Sequence, residues 1–179
     1  MATPALGDPN FARSVVLLLE HNETGSLGVV INRPTELPVA EILGPWSQLV
    51  ADPDVVFQGG PVGLDGALAL ALLNGRARVG DREPSGWRRV FGGLGLVDLD
   101  AAPAALAGDL AAVRIFAGYA GWGAGQLADE LAEEAWIVLD SEPFDAFSAR
   151  PGRLWSDVLR RQEGELAFVA TCPADPRMN

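Results

Sequence analysis

Apolar residues fall in short runs bounded by turn residues along the whole chain. Residues 14–20 and 27–32 are two such runs, rich in Val, Leu and Ile, and the polar segment His21-Asn22-Glu23-Thr24-Gly25-Ser26 between them carries turn residues. This spacing predicts a β-hairpin. Both runs are apolar at successive positions, which predicts a pair covered on both faces and placed centrally in its sheet. Pro34 is expected to end the second strand, because it has no N–H to give to a ladder. Beyond Pro38, the positions Val39, Ile42, Leu43, Trp46 and Leu49 follow helical spacing, with a bend or break expected at Gly44-Pro45. Residues 55–58 and 67–73 predict two more strands, joined through Gly59, Gly60, Pro61, Val62 and Gly63.

In the second half, a short strand or turn is expected at 89–96, a helix at 101–109, and the strongest strand at 113–119. The glycine-rich stretch 118–125 is expected to make a corner leading into an amphipathic helix over 126–135, with Leu127 and Leu131 on one side and Asp129, Glu130, Glu133 and Glu134 elsewhere. A strand at 136–139, a helix at 151–161 with Leu154, Trp155, Val158 and Leu159 inward, and a last strand at 166–170 complete the pattern. No linker, repeat or low-complexity segment interrupts it, so residues 1–179 are read as one domain. Strands and helices mix without strict βαβ alternation and the early hairpin is antiparallel, so the fold class is α+β with a mixed sheet.

Composition narrows the chemistry. Thirteen basic residues against 24 acidic ones give a formal net charge of −11, a field that repels phosphate backbones and anionic lipid. The imbalance is uneven: residues 1–90 carry seven Arg against ten acids, and residues 91–179 six against 14. The one basic island is 75–89, with five Arg against Asp81 and Glu83. With Trp87 it could take a phosphate or stack on a base, although balancing an acidic body is the plainer account. The longest apolar run, 67–73, is far short of the roughly 20 residues of a membrane-spanning helix, and no cationic segment followed by an apolar core opens the chain. A cytoplasmic protein with no membrane partner is expected. There is no Lys, which removes Schiff-base chemistry and any P-loop lysine. One Cys and one His cannot build the usual Cys/His zinc site, so neither a metal nor a cofactor is expected, and no catalytic kit is complete.

Four local features carry candidate chemistry. His21 is the only side chain that ordinarily titrates near neutrality, so it is a candidate base or ligand contact, against the plainer role of a turn residue. Cys172, followed by Pro173 with no motif around it, reads as a structural thiol. The glycines of 118–125 permit positive φ and close backbone approach, and the helix start beyond them would offer N–H groups to an anion. The stretch matches neither a Walker motif, since Gln126-Leu127 follow Gly125, nor G-x-G-x-x-G, and tight packing of Trp122 is the alternative. Asp129, Glu130, Glu133 and Glu134 include i,i+3 and i,i+4 pairs that a divalent ion could bridge, and they suit a solvated face near a helix start better.

Four blocks, taken in order, resemble a known family. They are residues 4–16 with Asp8, Arg13 and Ser14; residues 20–34 with His21, Asn22, Gly28, Asn32 and Pro34; Gly59-Gly60-Pro61-Val62; and residues 118–127 with Gly121, Trp122, Gly125 and Gln126. Together they resemble the AlgH/YqgE family of bacterial proteins, and the Lys-free, Arg-rich usage with the ending at 170–176 is similar to that of an actinobacterial-type member. The resemblance implies one α+β domain whose mixed, largely antiparallel sheet is bifurcated and curls into a pseudo-barrel with flanking helices. It implies no established catalytic activity; a transcriptional-regulator label attaches to the family through a proposed role in alginate production. Family members carry an apolar strand leading into the Ala-x-Pro that here follows Met1. The expectation is therefore a native chain starting upstream and, where that strand is lacking, an exposed sheet edge that favours a homo-oligomer.

Within these blocks, Asp8 and Arg13 fit a turn closed by a salt bridge that presents Ser14. If the glycine corner packs near the end of the hairpin, His21, Asn22, Asn32, Trp122 and Gln126, with Gly121 and Gly125, line one polar and aromatic cleft, the usual character of a small-ligand site. Three functions follow. One is a non-enzymatic regulatory or interaction protein with an unknown protein or small-molecule partner, acting indirectly because neither half supplies a basic face for nucleic acid. Another is a binder of a small anionic metabolite or nucleotide at the 118–126 corner. The third is a hydrolase with His21 as base.

Overall fold

The computed structural model describes residues 1–75 and 83–172, so Arg76, Arg78 and Arg82 of the basic island lie outside the described residues. Two long strands form the spine of the sheet. β5 (Val62–Leu73) and β8 (Leu110–Gly123) pair antiparallel from Val62 opposite Tyr119 to Leu73 opposite Leu110. β7 (Leu94–Val97) adds antiparallel to β5, and β6 (Trp87–Phe91) to β7. On its other edge β8 carries two branches. Its C-terminal part takes β2 (Gly25–Val30), with β1 (Val16–Asn22) beyond. Further back, Phe116 and Ala117 take β4 (Val55–Gln58) in parallel, and β4 pairs with β3 (Pro34–Pro38). The main path runs β1-β2-β8-β5-β7-β6. This is the mixed, mostly antiparallel, bifurcated sheet that the resemblance implies, curled into a half-barrel in an α+β fold.

The period of two along the spine sorts its side chains onto opposite faces. Leu70, Leu72 and Phe116 face one cluster, which α4 (Pro151–Arg160) seals with Leu154, Trp155, Val158 and Leu159. Ala69, Ala71, Val113 and Ile115 face the other, closed by Trp46, Trp87 and Leu106. Burying each large side chain contributes roughly 1.5–3 kcal/mol, so these two faces hold the sheet's curvature. Arg114 is the exception within β8. It is fully buried, lies 4.2 Å over the Phe57 ring, and donates to the carbonyl oxygens of Asp52, Pro53, Ala146 and Ser148. Burial pulls its pKa down to about 10, with Asp52 opposing.

Several expectations are corrected. β1 lies at the end of the strand path, and only β2 of the hairpin is interior. Pro34 opens β3, since β2 has already ended at Val30. The helix beyond Pro38 is split as expected, into α1 (Val39–Ile42) and a 3-10 turn over Gly44–Leu49. β5 starts at Val62, five residues early, with an irregular register before Ala67. Only α2 (Pro103–Leu106) forms within 101–109. The stretch 118–125 is no corner, because β8 runs on to Gly123 and turns only at Ala124-Gly125. α3 (Gln126–Ala132) follows, ending short of 135 where Glu134 takes φ +57°. Residues 136–139 make a single bridge, Trp136 to Ala2. The last run is a helix, α5 (Glu165–Val169), for five apolar residues do not by themselves separate strand from helix. Among the described residues no helix is long and apolar enough to cross a membrane.

Candidate functional site

Strand register builds the site. His21 on β1 lies opposite Ser26 on β2, and Ser26 lies opposite Trp122 on β8. The three side chains therefore form one row across one face of the sheet. His21 Nδ1 is 2.7 Å from Ser26 Oγ at the exposed end of the row. Trp122 is buried at the other, with Phe11 stacked on it and Trp136 edge-on.

α3 locks this aromatic group. Its Glu130 carboxylate accepts from Trp122 Nε1 at 2.9 Å, from Trp136 Nε1 at 2.7 Å and from Gln126 Nε2 at 2.9 Å. Burial alone would raise the Glu130 pKa, but the hydrogen bonds from Trp136, Trp122 and Gln126 outweigh it and hold the carboxyl below its ordinary value. Gln126 Oε1 in turn accepts the Gly123 N–H at 3.0 Å. Gln126 thus ties the end of β8 to the start of α3, a helix of only seven residues.

Beside the row lies an apolar cavity of about 360 Å³. Trp122, Leu127 and Leu131 form part of its wall, and Val16, Leu17 and Leu18 of β1 another. Trp136, Ile137, Val138 and Leu139 also line it, and His21 and Ser141 are its polar side chains. Of the residues singled out in the sequence, His21 and Trp122 meet here. The rest do not line the cavity. Asn22 closes the hairpin turn, accepting from the Thr24 N–H and donating to Glu20. Asn32 splices β1 to the strand after it, accepting from the Val15 N–H and donating to the Arg13 carbonyl. Gly121 sits opposite Leu27 in the ladder, and Gly125 at φ +77° precedes α3.

The block around Asp8 also departs from expectation. Asp8 accepts from backbone N–H groups of its own turn, and Arg33 donates to the carbonyls of Pro9 and Ala12, so the turn is closed through Arg33 and not by an Asp8–Arg13 salt bridge. Arg13, at φ +55°, lies over the Trp155 ring and donates to the Cys172 carbonyl. Ser14 is not presented but fully buried, and its hydroxyl has no hydrogen-bond partner among the described residues. Gly28 lets β1 approach, since a Cβ there would lie 2.8 Å from Val16 Cγ1. Gly59, Gly60 and Pro61 lead from β4 into β5 where the sheet branches. Among the described residues no group of three or more His, Cys, Asp or Glu is placed to hold a metal ion.

Sequence reasoning missed Ser26 and the segment 137–141, and it offered Glu130 as a carboxylate for a divalent ion where the structure makes it the acceptor of two indoles and Gln126. The signal for Ser26 was the hairpin register, which places it across from His21. For Glu130 it was the i,i+4 spacing from Gln126; its two indole donors come from elements that only the fold brings together.

Comparison with known proteins agrees with this geometry. A family described as AlgH-like matches residues 1–167. A UPF0301 protein of Streptomyces coelicolor is 62% identical over 179 residues, covering 100% of this chain and 92% of that protein. One of Mycobacterium tuberculosis is 45% identical, covering 100% and 88%. The crystal structure of a Corynebacterium diphtheriae protein superposes with a TM-score of 0.87 at 29% identity, covering 96% of this chain and 89% of that one. The solution structure of the AlgH protein from Pseudomonas aeruginosa gives 0.69 at 31%, covering 97% and 91%. With its sequence blocks, its branched sheet and these relatives in agreement, the chain belongs to the AlgH-like family.

Proposed function

We propose that the protein is a non-enzymatic interaction protein that acts in regulation through a partner held at the cavity beside His21 and Trp122, and not by contact with DNA. The observation that supports this is the cavity wall, in which His21 is the only ionisable side chain. Such a surface gains from covering apolar area, roughly 25 cal/mol per Å². The net charge of −11 opposes a nucleic-acid partner. A photo-crosslinking amino acid at Val138, a cavity residue that is 75% exposed, tests the reading in a native host. A discrete crosslinked partner is expected, lost when Leu131→Trp fills the cavity. Equal crosslinking in both backgrounds, or none in either, would overturn it.

A second reading, a hydrolase, rests on the 2.7 Å contact between His21 Nδ1 and Ser26 Oγ, the nucleophile–base spacing of acyl transfer. It predicts that a fluorophosphonate probe labels Ser26 and that His21→Ala abolishes the labelling. An unlabelled wild-type protein removes this reading.

A further inference from the structure

We infer that α3 is a hinged lid over the indoles of Trp122 and Trp136, latched by the Glu130 carboxylate. All five indoles of the chain donate a hydrogen bond. Those of Trp46, Trp87 and Trp155 go to main-chain oxygens, of Leu99, Ala71 and Ala2. Those of Trp122 and Trp136 both go to one side-chain oxygen, Glu130 Oε2, at 2.9 Å and 2.7 Å. Two buried indoles thus depend on a single carboxylate carried by a seven-residue helix. A buried N–H without an acceptor is costly, so release of Glu130 brings both indoles to water together.

Little else fastens α3. Leu127 is its only buried side chain, and among the described residues no backbone group of residues 126–134 bonds beyond 125–135. Gln126 adds one tie, its Oε1 accepting the Gly123 N–H while its Nε2 donates to Glu130. At each end of the helix stands a residue in the left-handed region. Gly125 precedes it at φ +77°, with open space where a Cβ would lie, and Glu134 follows it at φ +57°. Glu134 occupies the position past a helix end that favours glycine: its N–H donates to the Leu131 carbonyl, and the Ala135 N–H to that of Glu130. A glutamate held there is strained, and opening relaxes it. The closed lid is therefore a balance, in which the hydrogen bonds of Glu130 oppose the strain at the helix end. Residues at the ends of an element that absorb changes in φ and ψ are what hinges are made of, and an element with few buried contacts opens first. Opening carries Leu127 and Leu131 away from the cavity wall and bares Trp122 and Trp136 beside them. Where the cavity holds a partner, α3 thus sets the shape of that site, a consequence that rests on the partner reading; the lid itself does not.

The test is hydrogen exchange of the indole N–H groups in the full chain, resolved by NMR of isotope-labelled tryptophan, with Trp46 and Trp87 as internal references for the fold. Trp122 and Trp136 are expected to exchange at one shared rate, at least about tenfold faster than the two references. Glu130→Ala should speed both by about tenfold or more while Trp46 and Trp87 stay protected, which shows that the fold persists. The two hinge variants should act in opposite directions. Gly125→Ala places a Cβ in the left-handed region without a clash and should speed the shared exchange about fivefold; Glu134→Gly relieves the strain and should slow it about fivefold. Exchange of all four indoles in step in the wild type would overturn the lid, as would separate rates for Trp122 and Trp136. So would hinge variants that leave the shared rate unchanged or move it in the same direction. None of these readouts involves a partner, so crosslinking at Val138 decides the partner reading separately.

Discussion

Gly60 sits where the link between β4 and β5 crosses β8. Its φ is +154°, and a Cβ there would lie 2.2 Å from the Tyr119 carbonyl carbon, against main chain that cannot move aside. Gly60→Ala is therefore expected to cost about 3 kcal/mol or more, combining backbone strain with a clash, read as a drop in the urea midpoint or as loss of soluble protein. A variant with unchanged stability would mean that the branch relaxes easily. Glu130 offers a subtler measurement. Its folded-state pKa lies below the unfolded value of about 4.3, because its three donors outweigh burial. A depressed carboxyl contributes stability above the unfolded value and loses it as pH falls through the folded one. The melting temperature of the wild type should exceed that of Glu130→Gln at pH 7, and the gap should narrow as pH falls below the unfolded value. A gap that does not change with pH would show that Glu130 acts by shape alone.

Among elements, α4 shows how a helix is fastened at its end. Arg161, just past the last turn, donates to Asp145, with Nη1 2.7 Å from Oδ1, and Asp145 lies almost wholly buried in the preceding 3-10 turn. That hydrogen bond is the first cause that raises the Arg161 pKa. Arg161→Ala leaves a buried carboxylate without its cation and is expected to cost about 3 kcal/mol in urea unfolding. Adding Asp145→Asn should recover part of the loss, and a double variant weaker than the single one would refute this coupling. α4 itself was legible in the sequence, since Leu154, Trp155, Val158 and Leu159 declare one buried face. The hairpin was equally plain. Its place was misread because successive apolar residues do not by themselves report covered faces: β1 ends the strand path, and of its residues only Leu17 is buried while Leu18 is exposed. The glycines of 118–125 read as a turn, although Gly118 serves a strand, where a Cβ would lie 2.7 Å from the Val62 carbonyl oxygen and 2.8 Å from that of Gly60. Of the candidate site, His21 and Trp122 were legible as members of ordered blocks. Glu130 was not, because its partners lie on β8 and the segment beyond α3.

At the scale of the whole molecule, charge decides between two kinds of regulation. The chain carries −11 overall, and its basic island is confined to 75–89, whereas a DNA-binding face needs a contiguous basic stripe. A protein that neutralises phosphates shows affinity falling steeply with salt, at about −0.9 in log K per log salt for each contact. Here the opposite trend is expected. Fluorescence anisotropy with a labelled duplex at about 20 mM salt should show no binding. Added salt up to about 150 mM should raise the melting temperature by screening the protein's own repulsion, the Debye length then falling to about 8 Å. Salt-sensitive binding to the duplex would mean that residues 75–89 outweigh the acidic body, and would move the regulatory role onto DNA. Absence of binding together with salt stabilisation would favour the proposed partner cavity beside His21 over contact with DNA.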